Sequence, residues 1–508
     1  MISIATLIAL AMPAFGPPEG AGAGPEVGQR PNIVVIVTDD QAPWAMGNAV
    51  AQGWFRDVPA AHTPHMDRLA REGAVFQNFF CTTPVCSPAR VSLMTGRYAS
   101  EFDVYDFITA PDHKLFDPDA QVALDPDASV TFAEALQQSG YHTGLVGKWH
   151  LGDWTLPGNE AQHPTRHGFD YFIGLTSGGT TPDDPPLEKD GQVRQFKGLT
   201  TDLLTDEAIA FLQRSAEGDS PFLLCFHTRA PHGRWLPVAP EDWAPYADAD
   251  VPLPEFDDLN LELMDRYMRE YLASTSGVDR NLGRLLDTLN DLAVADDTVV
   301  IFTSDHGYNM GHNGIWHKGN GIWATRTKPP GKTHQGTRVV SDKYRPNMYD
   351  LSLKVPAIIR WPGTVAPGTV IKQTASSLDL FPTLLSMAQV ERPDDLVLRG
   401  RDLTPLLWGE SPTNWENDFY AEYSMHHYAV ASMRCYRTPR YKLIRDFHNA
   451  GRDEFYDLQV DPQESRNRID DPAPEIRAAI EELHRKLLAS MEMLNDPLFK
   501  TVRTDRVP

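Results

Sequence analysis

Residues 32–40 read NIVVIVTDD, and this stretch is the strongest indicator of the fold class. Its run of apolar, β-branched residues shows no polar alternation, which is typical of a strand buried on both faces of a parallel sheet. Residues 298–304 (TVVIFTS) form a second such run, preceded by a segment with helical spacing of apolar residues, at Val278, Leu282, Leu285 and Leu289. Strands that alternate with helices predict βαβ units and a mainly parallel sheet.

Three weaker strand candidates extend this pattern, at residues 143–146, 222–226 and 355–360. The expected fold class is therefore α/β, with a large, mainly parallel β-sheet sandwiched by helices. We place the domain that carries this sheet at residues 30–410.

The pattern changes beyond that boundary. Short polar strands such as residues 442–445 are followed by a charged helix with one apolar stripe, formed by Ile476, Ile480, Leu483 and Leu487. We predict a smaller C-terminal α+β subdomain over residues 411–508, with a small antiparallel sheet and a terminal helix.

The composition narrows the possible functions. The 508 residues include 46 Lys and Arg against 69 Asp and Glu, a formal net charge of −23. This acidic balance argues against nucleic-acid binding, because phosphate backbones are bound by basic surfaces. An anionic substrate would need a local positive pocket. Four cysteines are too few for a disulfide scaffold, and no CxxC pair offers a zinc site.

The amino terminus is typical of a signal peptide. Residues 2–15 form a mostly apolar run interrupted by Pro13, and residues 16–24 are rich in Gly, Ala and Pro. The run is shorter than the roughly 20 residues that span a bilayer but suits a cleaved export signal. We therefore predict a signal peptide at 1–24, a periplasmic or secreted protein and no membrane span. Because a positive amino-terminal region is missing, a disordered tail on a cytoplasmic protein is the alternative.

Reactive side chains follow the two best strands at the points where they end. Asp39 and Asp40 follow the first, and Asp305 and His306 follow the second. Ligands bind outside the carboxyl ends of parallel strands, so these groups are expected to converge. Carboxylate oxygens suit Ca²⁺ or Mg²⁺, which predicts a divalent cation site. The alternative is that these aspartates only form turns or cap helices.

Basic and titratable groups follow two of the weaker strands. Lys148 and His150 come after residues 143–146, and His232 comes after residues 222–226. They are expected at the same edge of the sheet.

The segment CSPAR at residues 86–90 is a further candidate. Ser87 and Pro88 are typical of a helix start, which places Cys86 at a helix N-terminus where the thiol pKa is lowered. Arg90 lies one turn further along and could contact the same anion. The alternatives are a buried structural cysteine or a Cys81–Cys86 disulfide.

These residues resemble the signature of the type I, formylglycine-dependent sulfatases of the alkaline-phosphatase-like superfamily, in which CxPxR is followed by a segment such as SLMTGR. Other segments fit in the family's order: Thr38-Asp39-Asp40, Gly147-Lys148-Trp149-His150, His167-Gly168-Phe169-Asp170, Ala230-Pro231-His232, Thr303-Ser304-Asp305-His306-Gly307, Trp361-Pro362-Gly363 and Tyr456-Asp457-Leu458. The resemblance covers nearly the whole chain after residue 30 and identifies residues 30–410 as a catalytic sulfatase domain.

The resemblance implies two cofactors and a modifying partner. Cys86 would be oxidised to formylglycine by a formylglycine-generating enzyme. The metal would be Ca²⁺ rather than Mg²⁺, bound by Asp39, Asp40, Asp305 and His306 together with the modified Cys86.

The resemblance also implies the reaction. A hydroxyl of the hydrated aldehyde would attack sulfur, transferring the sulfate to the enzyme, and the second hydroxyl would then expel it. Arg90 and Lys148 would hold the diol, His150 would be the base and His232 the acid for the leaving group. Lys148, His232 and Lys318 would bind the sulfate. Considered one at a time, these residues could instead be surface lysines and structural histidines, and His317 is the neighbour most easily confused with Lys318.

A basic segment bears on the substrate. From residue 318 to residue 345 one acid, Asp342, stands against seven basic residues, Lys318, Arg326, Lys328, Lys332, Arg338, Lys343 and Arg345. The segment lacks periodicity and is predicted to be a long loop that could bind a polyanion, or else a solvated surface loop. Four tryptophans could stack on sugar rings or belong to the core: Trp149, Trp235, Trp316 and Trp323. The expected substrate is a sulfated carbohydrate, either a polysaccharide or its oligosaccharides.

Two other functions remain open at this point. A phosphate or phosphonate ester hydrolase of the same superfamily would share the fold and the metal site. A catalytically silent protein that binds sulfated glycans would keep Cys86 as a thiol.

Overall fold

The structure, a computed structural model, describes residues 30–55, 58, 61–117, 122–328 and 331–502. The predicted signal peptide at residues 1–24 lies outside the described residues. In chain order the strands are β1 (Asn32–Thr38), β2 (Ala74–Phe80), β3 (His142–Lys148), β4 (Tyr171–Leu175), β5 (Pro186–Lys189), β6 (Gln192–Gln195), β7 (Phe222–His227), β8 (Thr298–Ser304), β9 (Asn309–Met310), β10 (Ile315–His317), β11 (Asn320–Trp323), β12 (Thr333–His334), β13 (Thr337–Arg338), β14 (Tyr344–Pro346), β15 (Ala357–Arg360), β16 (Thr369–Ser376), β17 (Phe419–Met425), β18 (Ala431–Arg437), β19 (Tyr441–Asp446) and β20 (Glu454–Asp457).

The helices complete the chain of elements. They are α1 (Gly47–Ala51), α2 (Pro64–Glu72), α3 (Cys86–Thr95), α4 (Phe132–Gln138), α5 (Thr200–Ala216), α6 (Pro240–Trp243), α7 (Leu261–Asp291), α8 (Asp350–Leu353), α9 (Leu380–Met387), α10 (Thr404–Leu407), α11 (Pro474–Met493) and α12 (Phe499–Val502). Within the described ranges, no helix combines the length and apolar character that crossing a membrane requires.

The largest sheet has the strand order β16-β2-β15-β8-β1-β7-β3-β4-β5-β6. Its centre, from β8 to β4, is wholly parallel, whereas β15, β5 and β6 run antiparallel to their neighbours. The predicted α/β class with a large, mainly parallel sheet is confirmed. The strand predicted at residues 355–360 belongs to this sheet, but its direction is opposite to that of the central strands.

Both faces of the central sheet are covered by helices. Ile33, Val35 and Val37 of β1 point into a core that includes apolar residues of α3, α4 and α9. Val34 and Ile36 point into a second core with α2, α5 and α7. Burial on both faces explains why the strand has no polar alternation.

The register of the central strands brings their carboxyl ends to one edge. Thr38 of β1 pairs with Ser304 of β8, and His227 of β7 pairs with both Val37 and Gly147. The residues that come next in the chain therefore emerge side by side, at the position where α/β proteins bind ligands.

A separate four-stranded antiparallel sheet, in the order β17-β18-β19-β20, forms the C-terminal part of the described chain. The predicted apolar stripe of α11 packs on it, through a cluster formed by Leu443, Phe455, Ile476, Ile480 and Leu483. This confirms the smaller C-terminal subdomain as part of the fold class, while the domain boundary at residue 410 stays a prediction. Phe419 of β17 stacks on Phe80 of β2 with ring centroids 4.9 Å apart, which ties the two sheets together.

The basic segment from residue 318 to residue 345 is not one long loop, so this prediction was wrong. It contains β11 to β14, strands of two to four residues that are too short to show periodicity. Lys318 and Arg345 are buried, and Arg345 pairs with Glu454 at 3.0 Å. Fewer of its positive charges therefore face solvent than the sequence suggests.

Candidate active site

Cys86 is the first residue of α3. The helix begins at this residue, and the preceding Val85 has an extended backbone, so the predicted start at Ser87 and Pro88 was two residues late. Pro88 is accommodated because the first N–H groups of a helix have no intrahelical acceptor. All ten residues of α3 are buried, and Cys86 is 4% exposed.

The thiol of Cys86 lies among charged groups. Its Sγ is 2.9 Å from Lys318 Nζ, 3.5 Å from His306 Nε2 and 4.0 Å from Asp39 Oδ1. Burial opposes ionisation of the thiol, but the ammonium groups of Lys148 and Lys318 outweigh it and lower the pKa of Cys86 well below its usual value. The alternative of a Cys81–Cys86 disulfide is wrong, because both cysteines are free.

The carboxylates after β1 each hold one lysine. Lys148 Nζ lies 2.7 Å from Asp39 Oδ2, and Lys318 Nζ lies 2.6 Å from Asp40 Oδ1. Burial raises the pKa of Asp39, but the Lys148 ammonium more than offsets this and the pKa is lowered, so the Asp39 carboxylate is charged. Lys318 was predicted at this site only from the family resemblance. It follows β10, a strand of three residues that is too short to leave a pattern in the sequence.

Asp305 is held by a buried arginine. Arg90 donates to Asp305 Oδ2 from Nε at 3.1 Å, pairs with it through Nη2 at 3.0 Å and donates from Nη1 to the carbonyl of Lys148 at 3.0 Å. The arginine is 1% exposed. It therefore connects α3 to the ends of β3 and β8.

Carboxylates and basic side chains are present in equal number in this site, apart from the ionisable thiol of Cys86. Three carboxylates pair with Arg90, Lys148 and Lys318. A divalent cation added to this set would leave it with a net positive charge, which is the local positive pocket that an anionic substrate of an acidic protein needs.

The donor set fits a divalent cation. Ligand atoms of Asp39, Cys86, Asp305 and His306 lie within 4.8 Å of one another. Asp40 Oδ2 is buried and has no hydrogen-bond partner within the described part of the chain. His306 Nδ1 donates to the carbonyl of Gly307 at 3.0 Å, and Nε2 is turned towards the cluster, 3.2 Å from Asp40 Oδ1, so a neutral imidazole would offer its Nε2 lone pair to a metal. Three carboxylates suit a hard cation such as Ca²⁺. The thiol of Cys86 is a poor ligand for such a cation, whereas an oxygen atom on residue 86 would be a good one.

Two histidines flank the nucleophile position. His150 Nε2 donates to the carbonyl of Ile108 at 2.8 Å, so its Nδ1, buried and without a hydrogen-bond partner among the described residues, carries the lone pair. His232 Nδ1 donates to the carbonyl of Gly233 at 2.8 Å, which leaves its Nε2 free. Burial lowers the pKa of both side chains, with Lys148 adding to the effect at His150 and Asp39 and Asp40 opposing it at His232.

The site opens into a cavity of ≈ 370 Å³. The sequence analysis anticipated its floor, at Cys86, His150, His232 and Lys318, but missed most of its walls: Phe107, Ile108, Thr109, Ala110, Asp112, His113, Ser177, Gly178, Gly179, Asn320 and Tyr428.

Gly178 and Tyr428 illustrate what was missed. A Cβ on Gly178 would lie 2.3 Å from His150 Nε2, so only glycine packs against that imidazole. Tyr428 reaches the cavity from the C-terminal subdomain and stacks on Tyr344 with centroids 4.7 Å apart. An SGG triplet was the only available signal for Gly178, and no periodic pattern marks Tyr428.

The four tryptophans do not line this cavity. Trp149 and Trp323 are 1% and 0% exposed and belong to the core. Trp235 and Trp316 pack with Tyr267, at centroid distances of 5.1 and 5.0 Å from it. The predicted alternative, that they are core residues, describes them better than stacking on sugar rings.

The fold and site together are those of a hydrolase of anionic esters, with a cationic pocket beside a carboxylate cluster that could hold a metal. The model of the sulfatase family matches residues 31–390, and that of the C-terminal region of N-sulphoglucosamine sulphohydrolase matches residues 341–493. The chain belongs to the sulfatase family and is a sulfuric ester hydrolase.

Similar proteins agree with this assignment. An N-acetylglucosamine-6-O-sulfatase of Bacteroides thetaiotaomicron is 28% identical, over 86% of this chain and 82% of the relative. A solved structure in complex with its substrate D-glucosamine-2-N,6-O-disulfate has a TM-score of 0.72 and 25% identity, over 92% of this chain and 99% of that one. The structure of a phosphonate monoester hydrolase from Silicibacter pomeroyi shares the fold, with a TM-score of 0.68 and 22% identity over 91% of this chain and 96% of that one. The phosphonate alternative is thus the weaker one.

Proposed function

We propose that this sulfatase acts on sulfate esters of carbohydrates, with Cys86, converted to formylglycine, at the centre of the reaction. The observation that carries the proposal is the position of Cys86 Sγ, 2.9 Å from Lys318 Nζ and 3.5 Å from His306 Nε2, between a cationic pocket and a carboxylate cluster. The relative and the structure that are named for sulfated amino sugars support a carbohydrate substrate.

Asp39, Asp40, Asp305 and His306 would hold a Ca²⁺ ion, which would supply Lewis-acid polarisation of the ester, and residue 86 as a hydrated aldehyde would supply the attacking hydroxyl. The rest of the site orients the ester. Lys318 and Lys148 would bind the anionic oxygens of the ester. Each ammonium group lies within 2.7 Å of a carboxylate beside the nucleophile, which places both positive charges next to the reacting atoms.

His150 is suited to act as the base. Its Nδ1 carries a lone pair, since Nε2 donates to Ile108, and burial keeps the pKa of the imidazole below its usual value. At neutral pH it is therefore unprotonated and able to accept a proton next to residue 86.

His232 is suited to protonate the leaving alcohol. Burial lowers its pKa despite the nearby Asp39 and Asp40, so it must gain a proton before it can act as an acid. The negative charge of a bound sulfate ester favours that protonated state. Its Nε2 is the available atom, because Nδ1 contacts Gly233.

The effect of replacing His232 is expected to depend on the leaving group. With His232→Ala we expect kcat/KM for a sugar sulfate to fall about 10²–10⁴-fold, because an alkyl alcohol needs a proton to depart. For 4-nitrophenyl sulfate, whose phenolate leaves unaided, the loss should stay within about tenfold. Steady-state kinetics with both substrates measure this difference, and equal losses on the two would refute the acid role.

Calcium binding is expected to stabilise the protein. A ligand at 100 times its Kd adds about 2.7 kcal/mol, so the metal-free enzyme should melt several degrees higher when Ca²⁺ is added. Asp40→Asn should reduce this shift strongly, whereas the surface variant Asp287→Asn should keep it. Thermal melts of the chelated protein, with and without added Ca²⁺, measure the shift in Tm. A shift in Asp40→Asn as large as that of the wild type would count against the proposed ligand set.

The proposal is tested directly by the mass of the tryptic peptide over residues 72–90. This peptide contains Cys86 and an internal control, Cys81. We expect a loss of mass corresponding to conversion of CH₂SH to CHO, located at Cys86. An active preparation in which both cysteines stay unmodified would overturn the formylglycine assignment. Parallel assays on 4-nitrophenyl sulfate and 4-nitrophenyl phosphate then compare the two ester classes, and the sulfate should be preferred.

We also propose that the protein is exported and that a formylglycine-generating enzyme modifies it. The support for export is the apolar run at residues 2–15 followed by small residues. Fractionation of the native cells, with sequencing of the mature amino terminus, tests it. A protein that retains residue 1 in the cytoplasm would contradict export.

A further inference from the structure

A second cavity adjoins the active site. It has a volume of ≈ 560 Å³, against ≈ 370 Å³ for the cavity above Cys86. The two share four wall residues, Ala110, Asp112, Ser177 and Gly179, and so form one continuous cleft. Each part alone is in the size range of small-molecule pockets. We call the larger part the outer cavity.

A wall residue of the outer cavity, Asp153, has an unsatisfied acceptor just beneath the cavity surface. The residue is 5% exposed. Its Oδ1 accepts hydrogen bonds from the backbone N–H and the hydroxyl of Thr155, whereas Oδ2 is buried and has no hydrogen-bond partner within the described ranges. Leaving such an oxygen unpaired is costly, so a ligand that donates a hydroxyl to it would gain affinity.

The outer cavity also carries a positive charge. Arg234 lines it, two residues after His232, and is exposed. Among the described residues the structure shows no carboxylate paired with this guanidinium, unlike Arg280, which pairs with Asp202 and Asp242. A free guanidinium at this position suits a carboxylate or a sulfate, which it can bind through two parallel hydrogen bonds.

The remaining walls are mostly small and polar. They include Thr155, Thr176, Thr180 and Thr181, and the apolar contribution comes largely from prolines. Walls that combine hydroxyl groups with small apolar side chains suit a sugar ring, which presents hydroxyls at its edge and C–H groups on its faces.

We propose that the outer cavity binds the sugar residue linked to the sulfated one, with Arg234 pairing to an acidic group on it and Asp153 Oδ2 accepting one of its hydroxyls. The preferred substrate is then an acidic oligosaccharide rather than a sulfated monosaccharide. This inference rests on the proposed function, because it takes the cavity above Cys86 as the site of the sulfate ester.

The test compares three substrates: 4-nitrophenyl sulfate, a sulfated monosaccharide, and the same sugar in a disaccharide whose second residue is a uronic acid. The wild-type enzyme should show at least tenfold higher kcat/KM on the disaccharide than on the monosaccharide. Arg234→Ala and Asp153→Asn should each lower the value for the disaccharide about 10–100-fold and leave the monosaccharide within about twofold. Arg194→Ala is the matched control, since Arg194 is an exposed arginine of β6 outside both cavities, and it should change neither.

A neutral disaccharide separates the two contacts. Arg234→Ala should not affect its turnover, whereas Asp153→Asn should. Equal effects of either variant on monosaccharide and disaccharide, or no effect on either, would overturn the proposal. Hydrolysis of the aryl sulfate with no preference for the disaccharide would overturn it while leaving the sulfatase chemistry intact. A failure to hydrolyse any of the three by a verified aldehyde form would instead contradict the proposed function.

Discussion

Replacement of Cys86 by alanine is expected to reduce hydrolysis of every sulfate ester to background, a loss of at least about 10⁴-fold. The reason is that the side chain at this position lies between Lys318 Nζ and the carboxylate cluster, and no other nucleophile is placed there by the described residues. The fold should survive, because Cys86 is small and alanine suits a helix. Turnover assays with thermal melts on the same preparation measure both effects.

Cys81→Ala is the matched control for this variant. Cys81 is also buried, its Sγ lies 3.8 Å from the carbonyl of Ser352, and burial raises the pKa of its thiol. We expect a modest loss of stability and full activity on sulfate esters. Residual activity clearly above about 0.01% in Cys86→Ala, the level that a 10⁴-fold loss leaves, would contradict the assigned role.

Replacement of Arg90 by alanine is expected to cost the most stability of any single change in the site, about 3–5 kcal/mol. The substitution leaves Asp305 buried without its partner and removes the hydrogen bond to the Lys148 carbonyl. Turnover should fall as well, because Asp305 loses the group that orients it. Denaturant unfolding, with and without Ca²⁺, measures the change in the free energy of unfolding.

Two further variants define the cause of that loss. Arg90→Lys keeps the charge but cannot form the same set of hydrogen bonds, so an intermediate loss is expected. Arg68→Ala removes a partly exposed arginine that pairs with Glu72 and Asp287, and it should change the free energy of unfolding by less than about 1 kcal/mol. If Arg90→Ala lowers the free energy of unfolding by less than about 1 kcal/mol, the buried pair of Arg90 and Asp305 is not important for the fold.

The parts of the fold that were predictable are those in which burial leaves a pattern in the sequence. The bounds of β1 and β8 agree with the two apolar runs, because strands buried on both faces are apolar over most of their length. The convergence of Asp39 and Asp305 was predictable as well, since each follows directly from one of two paired strands.

The parts that were not predictable depend on contacts between distant segments. Tyr271, within α7, donates to the carbonyl of Asp40 at 2.8 Å and helps to hold it in a left-handed conformation (φ 70°). Nothing in the periodicity of α7 distinguishes this tyrosine from an ordinary core residue. Tyr428 reaches the active-site cavity only because the C-terminal sheet packs beside Tyr344.

The start of α3 shows a limit of another kind. Ser87 and Pro88 are favourable at the beginning of a helix, but the packing of α3 extends the helix to Cys86. Propensity describes local preference, whereas tertiary contacts decide where the helix begins.

The burial of α3 has a consequence for the order of events in biosynthesis. Every residue from 86 to 95 is buried in the folded protein, and Cys86 meets the cavity with only 4% of its surface. If an enzyme converts Cys86 as proposed, it would need access to more of this segment than the cavity offers, so the conversion is expected before α3 packs onto its neighbours. A chain that folded with its thiol intact would then stay inactive unless it unfolded again.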